Sequence, residues 1–238
     1  LMSPIKYSGD VRVYFEQYEV GTATISIGIK REVDELETTA LGDGAERFQR
    51  GIRMDKLDPP WSGYFNDGTS FDAYKAANIG SGTKVHSVFF GTTTGDIAYG
   101  QQLQLSAEAI SPSNKGLVMA NGSLRPDGTW DRGFVLLTRS TATGSSISGS
   151  VDNGALSTGS GFWFLHVFSI GAGTTSTIAL QDSADGVTFA DLGTQVITTG
   201  TAYRISIGSA ASGTIRRYTQ LRWDGTGTKS IASFVVRA

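Results

Sequence analysis

The residue types that carry most protein chemistry are few in this chain and poorly placed for it. Its two histidines, His86 and His166, each lie inside an apolar run, 85–90 and 162–168, where a packed or hydrogen-bonded imidazole is a better account than a general base. No serine sits in a Gly-x-Ser-x-Gly elbow, and Gly159-Ser160-Gly161 reads as a turn before a strand. Asp182-Ser183-Ala184-Asp185-Gly186 offers two acids and a glycine but lacks the glutamate and the spacing of a calcium loop, so it reads as a turn in which Asp caps its own backbone. With no cysteine, a thiolate metal site or a disulfide is excluded, and synthesis in a reducing cytoplasm is the simplest expectation. No catalytic constellation can be assembled from these pieces. The expectation is a non-enzyme with no metal and no cofactor.

The aromatic residues offer the main alternative chemistry. Phe162, Trp163 and Phe164 are consecutive, so in a strand their rings face opposite sides, and one side could stack on sugar rings. The competing reading puts one side in a sandwich core and the other in a contact between domains or subunits. The second reading is favoured, because the neighbours are serine, glycine and alanine rather than the acids and amides that accompany sugar platforms. Trp130 and Trp223 are ambiguous in the same way, since each adjoins a turn where a partly exposed ring could pack on an adjoining loop.

The elements that would position these residues are strands. A chain of 238 residues with 31 glycines, 5 prolines, 39% hydrophobic and 18% charged residues is neither disordered nor helical in character. It reads as all-β, many strands joined by glycine turns, long enough for two domains. Residues 1–140 hold 14 Lys+Arg against 17 Asp+Glu, net −3, and residues 141–238 hold 6 against 5, net +1. Neither half has the clustered bases of a nucleic-acid reader. No apolar run reaches the roughly 18 residues of a membrane span, so a soluble protein is expected.

In chain order, residues 10–18 and 23–29 alternate apolar and polar residues with period two, and Val20-Gly21 suggests a hairpin between them. Glu32, Asp34, Glu35 and Glu37 then surround Val33 and Leu36 as an acidic strand face. The stretch 36–68 combines a glycine-acid loop (Leu41-Gly42-Asp43-Gly44), a charged connector, and a short aromatic strand closed by Asn66-Asp67-Gly68. Residues 71–78 form the one helix candidate, with Ser70 as N-cap, Gly80 past its end, and Phe71, Tyr74 and Ala77 on one face. Strands are expected at 84–90, 97–109, 117–124 and 133–139, the last two separated by a turn at Arg125-Pro126-Asp127-Gly128. They imply a closed or nearly closed antiparallel sheet with one helix. The small polar run 140–150 is read as the boundary between a domain 1–140 and a domain 141–238. Seven short strands follow, the spacing of a β-sandwich or jelly roll.

The run Leu41-Gly42-Asp43, the charged connector, then Ser62-Gly63-Tyr64-Phe65-Asn66-Asp67-Gly68 resembles the central motif of tail tube (major tail) proteins of long-tailed bacteriophages, over residues 4–138. The resemblance implies a virion structural protein, made in the host cytoplasm, whose copies form hexameric rings by continuing one another's sheets. Rings would stack with each other and with other tail proteins into a tube through which DNA passes without specific binding. It implies a subunit interface around Leu41, Gly42, Asp43, Arg47, Arg50, Arg53, Lys56, Trp61, Tyr64 and Phe65. Duplex DNA carries about one negative charge per 1.7 Å, so a basic lumen would retain it. Glu32, Asp34, Glu35 and Glu37 are therefore lumen candidates, and their alternative is pairing with Lys30, Arg31 and nearby bases on the outer face. The segments 182–186 and 217–222 resemble jelly-roll modules appended to virion proteins, themselves similar to carbohydrate-binding modules. The other functions considered are a host-adhesion protein that binds a surface glycan through the C-terminal domain, and a capsid decoration protein.

Overall fold

The computed structural model describes residues 10–21, 24–27, 29–37, 48–57, 61–64, 74, 82–112, 118–157, 159–207 and 214–237. Alternation sets the first strands: in β1 (Val11–Phe15), Val13 and Phe15 are buried on one face and Tyr14 on the other. The chain then turns at once, because β2 (Tyr18–Glu19) pairs Phe15 with Tyr18 and Tyr14 with Glu19. The expected turn at Val20-Gly21 is therefore replaced by one at Glu16-Gln17. Val20 instead joins the core with Val13 and Phe15, where an apolar side chain gains more than it would in an exposed turn. The second expected strand is divided between β3 (Thr24–Ser26) and β4 (Ile29–Glu37). Its partners also differ, since β3 pairs with β6 (Trp61–Tyr64).

The charged connector is a strand. In β5 (Phe48–Leu57), Ile52 and Met54 alternate with Arg53 and Asp55, a period-two signal hidden by the density of charge. It pairs antiparallel with β4, Arg31 opposite Asp55 and Glu35 opposite Arg50. The expected strand at 84–90 is β7 (Lys84–Phe90), followed by β8 (Ile97–Pro112). The expected turn at 125–128 is absent, because β9 (Val118–Thr143) runs through it as one strand of 26 residues. Gln102 pairs with Asp127 but Gly100 pairs with Asp131, so β9 spends four residues where β8 spends two. The Pro126-Asp127-Gly128 signal is thus absorbed beside an irregularity in a continuous ladder. Of the helix candidate, Tyr74 lies among the described residues; it is helical and fully buried, and the rest of that segment lies outside them.

The remaining strands are β10 (Ser146–Ile147), β11 (Val151–Asp152), β12 (Gly161–Ile170), β13 (Ser176–Ser183), β14 (Ala190–Ile197), β15 (Thr201–Ile207), β16 (Tyr218–Asp224) and β17 (Thr228–Arg237). The fold is all-β. A ten-stranded sheet runs β15-β12-β17-β9-β8-β7-β1-β2, with β6 and β3 continuing from the first half of β9. A five-stranded sheet of β10, β11, β16, β13 and β14 packs on its β12-β17 side. β9 is the spine: β8 lines one edge along most of its length, while β6 and then β17 line the other. Residues 140 and 141, where the sequence places a domain boundary, fall within this strand.

Three clusters fill the interior. The sandwich core joins Trp163, Leu165 and Val167 of β12 to Ile178, Leu180, Leu221 and Trp223 of the smaller sheet. A second gathers Val13, Phe15, Trp61, Tyr74, Leu103 and Trp130. The third holds Tyr14, Phe89, Phe164 and Phe234, and it shows that the large sheet curls. Tyr14 and Phe168 are five strand spacings apart, roughly 24 Å in a flat sheet, yet their ring centroids lie 5.1 Å apart.

Candidate functional site

The two ends of the curled sheet meet at Glu16. Its φ of 53° is unusual for a residue other than glycine, and that conformation turns the side chain inward. The carboxylate accepts the Val85 amide at 2.6 Å and the Ala202 amide at 3.2 Å, so one residue of the β1–β2 turn joins the starts of β7 and β15. Its backbone also takes part: the Glu16 amide donates to Val85 O at 2.9 Å, and the Glu16 carbonyl accepts from His166 Nδ1 at 2.7 Å. A carbonyl can only accept, so His166 carries its proton on Nδ1, and Nε2 accepts from the Ser87 hydroxyl at 2.7 Å. His86 repeats the arrangement, Nδ1 donating to Lys84 O at 2.8 Å and Nε2 accepting from the Tyr74 hydroxyl at 2.8 Å.

Burial sets the charge states of this seam. It pushes His86 down to about 3 and His166 down to about 4, so both are neutral at physiological pH. It pushes the Glu16 carboxyl up, against the amides of Val85 and Ala202 that favour its ionised form. The reading of both histidines as packed, hydrogen-bonded residues holds. Glu16 itself was not visible in the sequence, where its one signal is a lone acid directly after Phe15 in an otherwise amphipathic strand.

The residues named for a subunit interface fall partly outside the described residues. Leu41, Gly42, Asp43, Arg47 and Phe65 lie outside the described residues. Arg50, Arg53 and Lys56 are on β5, opposite Glu35, Val33 and Lys30. Tyr64 pairs with Met119 of β9. Trp61 is 0% exposed within the single chain, its Nε1–H donates to Thr24 Oγ1 at 2.8 Å, and its ring stands edge-on to Phe15 at 6.4 Å. It packs in the core of its own chain with Val13, Phe15 and Tyr74. Glu32, Asp34, Glu35 and Glu37 all fall on β4.

The sugar platform is not formed. Trp163 is in the sandwich core, Phe164 stacks on Phe234 at 4.5 Å on the opposite side, and Arg204 covers the Phe162 ring at 3.4 Å. Trp130 and Trp223 are also core residues, which decides between the two readings that the sequence leaves open. The Asp185 carboxylate accepts the amides of Val187 and Thr188 at 2.9 and 2.8 Å and the Ser183 hydroxyl at 2.7 Å, as a self-capping turn requires. Among the described residues no three acids or histidines converge to hold a metal ion, and no helix is long and apolar enough to cross a membrane, which says nothing of a membrane β-barrel.

No protein-family model and no curated protein matches this chain. Among solved structures it is similar to SPP1 Dit (gp 19.1), described as a paradigm of the hub adsorption apparatus in phages that infect Gram-positive hosts. The likeness covers 96% of this chain and 99% of that one at 10% identity and a TM-score of 0.38. Identity and score are both too low for it to carry an argument about this chain.

Proposed function

We propose that the chain is a structural subunit of a phage tail that assembles by sheet pairing between copies, and more finely a tail tube subunit whose hexameric rings stack and conduct DNA. The observation that carries the proposal is β4–β5. These strands of nine and ten residues pair with each other and, among the described residues, with no other strand. The ribbon lies against β9 through β5 but shares no ladder with it, and open strand edges of this kind invite pairing with another chain. A neighbouring copy's strand would remove that liability, and a closed ring would remove it for every copy. The motif resemblance over residues 41–68 flanks and includes β5 and supports the same reading.

In the finer proposal the acids of β4 face the lumen. The register sets Glu35 opposite Arg50 and Arg31 opposite Asp55, so part of the charge on this ribbon is balanced across the strands. A lumen wall of this kind is mixed in sign and does not hold DNA as a basic wall would. Chemical cross-linking of the purified chain tests the reading: a ladder of species ending at six supports it. A single monomer band at high protein concentration overturns it.

A further inference from the structure

A cleft of about 480 Å³ opens beside the β1–β2 turn, lined by Arg12, Tyr14, Glu19, Thr92, Thr138 and Arg139. Its size suits a small ligand or one inserted side chain. Tyr14 is fully buried beneath it. The phenol oxygen accepts the Arg139 amide at 3.3 Å, while its own proton meets no acceptor among the described residues. Arg139 is held from three sides: Nη1 donates to Glu19 Oε2 at 2.9 Å, Nε reaches Ser230 Oγ at 3.5 Å, and the guanidinium lies 4.7 Å over the Phe168 ring. Its Nη2 has no partner among the described residues. Arg12 Nε stands 3.8 Å from the other Glu19 oxygen. Among the described residues the cleft lining carries two guanidinium groups and one carboxylate, a net charge of +1, and leaves two donors, Arg139 Nη2–H and Tyr14 O–H, without acceptors.

We propose that this cleft is a carboxylate-binding site, taking one monoanionic carboxylate whose oxygens accept from Arg139 Nη2 and the Tyr14 hydroxyl. Guanidinium binds carboxylates through paired N–H donors, and a phenol donor adds a short charge-assisted bond. The charge count selects against phosphate: a group of about −1.5 to −2 overfills a +1 site and is repelled by Glu19. The carboxylate comes either from an acidic side chain of another copy or from a free small acid.

Phenylglyoxal modification of Arg139 in the full chain, followed by peptide mass spectrometry, tests this at any assembly size. Acetate is the probe, with chloride and inorganic phosphate at equal ionic strength as comparators. The site predicts that acetate slows modification of Arg139 several-fold and saturably, that chloride does not, that phosphate protects less, and that Tyr14→Phe loses most of the protection. The ring contacts of Tyr14 with Phe89 and Phe168 survive in that variant, and if it fails to fold the acetate, chloride and phosphate comparison on the unaltered chain still decides. Protection by acetate no better than by chloride, equal protection by phosphate, or undiminished protection in Tyr14→Phe overturns the proposal. Sedimentation separates the two sources once binding is shown: weaker self-association of Arg139→Gln assigns the carboxylate to another copy, and unchanged association assigns it to a free acid.

Discussion

Glu16→Ala is the sharpest test of how the large sheet is closed. The substitution removes the acceptor of two backbone amides, Val85 N–H at 2.6 Å and Ala202 N–H at 3.2 Å, at a residue 6% exposed. An unsatisfied buried donor costs about 1–3 kcal/mol, giving about 2–6 kcal/mol for the pair. Relief of the buried carboxylate, whose raised pKa records its desolvation, offsets part of this. The expected net loss is about 3 kcal/mol, a large fraction of the stability of an ordinary domain. Two companions separate the causes. Glu16→Gln keeps an acceptor for one amide but sets its own NH₂ against the other, so it should lose about half as much. Glu16→Gly loses the same bonds as alanine but relaxes the positive φ of 53°, and should be about 1 kcal/mol less destabilising than alanine. Urea unfolding with unchanged m-values reads all three. Alanine costing less than about 0.5 kcal/mol, or glycine costing more than alanine, would refute the seam as the closing device.

Stability should also fall on mild acidification. The folded pKa values of His86 and His166, about 3 and about 4, lie below the unfolded 6.5, so their contribution is complete above pH 6.5 and is lost as pH falls through that window. At pH 5 each accounts for about 2 kcal/mol at 1.36 kcal/mol per unit. Glu16, with a raised pKa, works the other way, its contribution being present at low pH and lost as pH rises. Glu16→Gln should therefore steepen the net loss between pH 7.5 and 5, and a flat stability profile in the unaltered chain would contradict the neutral assignment of the two histidines. Gly100→Ala should cost about 1–3 kcal/mol by overpacking, since a Cβ there would lie 2.4 Å from Phe234 and 2.7 Å from Phe164; thermal unfolding without loss would mean the stacked pair gives way freely. A fragment of residues 145–238 keeps most of the sandwich core but strips β17 of β9 and Phe164 and Phe234 of their cover. It should bind a hydrophobic dye that the full chain excludes, and a fragment as compact and dye-free as the full chain would show that the shared sheet adds little.

Faces were legible in the sequence where neighbours were not. The expected strand 84–90 coincides with β7, and strand geometry assigned Trp163 and Phe164 to opposite sides, because a period of two fixes which side chains share a face. It does not state which strand lies alongside, so β3 was paired with β1 when its partner is β6, far along the chain. Local turn chemistry misled at Pro126-Asp127-Gly128, where a ladder continuous on both sides outweighs the turn preference of three residues. Charge misled on β5, since Arg53, Asp55 and Lys56 obscured the alternation of Ile52 and Met54. The seam and the carboxylate cleft were illegible for a common reason. Glu16 and His166, and with them Arg139 and Tyr14, lie far apart in the chain, Glu16 and His166 by 150 positions, and meet only because the sheet curls, a property of the whole ladder rather than of any segment.

The central claim is that copies of this chain close on one another through the sheet edges around β4–β5. Electron microscopy of the purified 238-residue chain tests it most directly. Rings with sixfold averages, or stacked tubes, are the predicted result, and they should disappear when Ile52→Pro removes a backbone donor from the middle of β5 while the circular-dichroism melt of the remaining fold persists. Uniform single particles of about 25 kDa at all concentrations, or rings that survive Ile52→Pro unchanged, would contradict it.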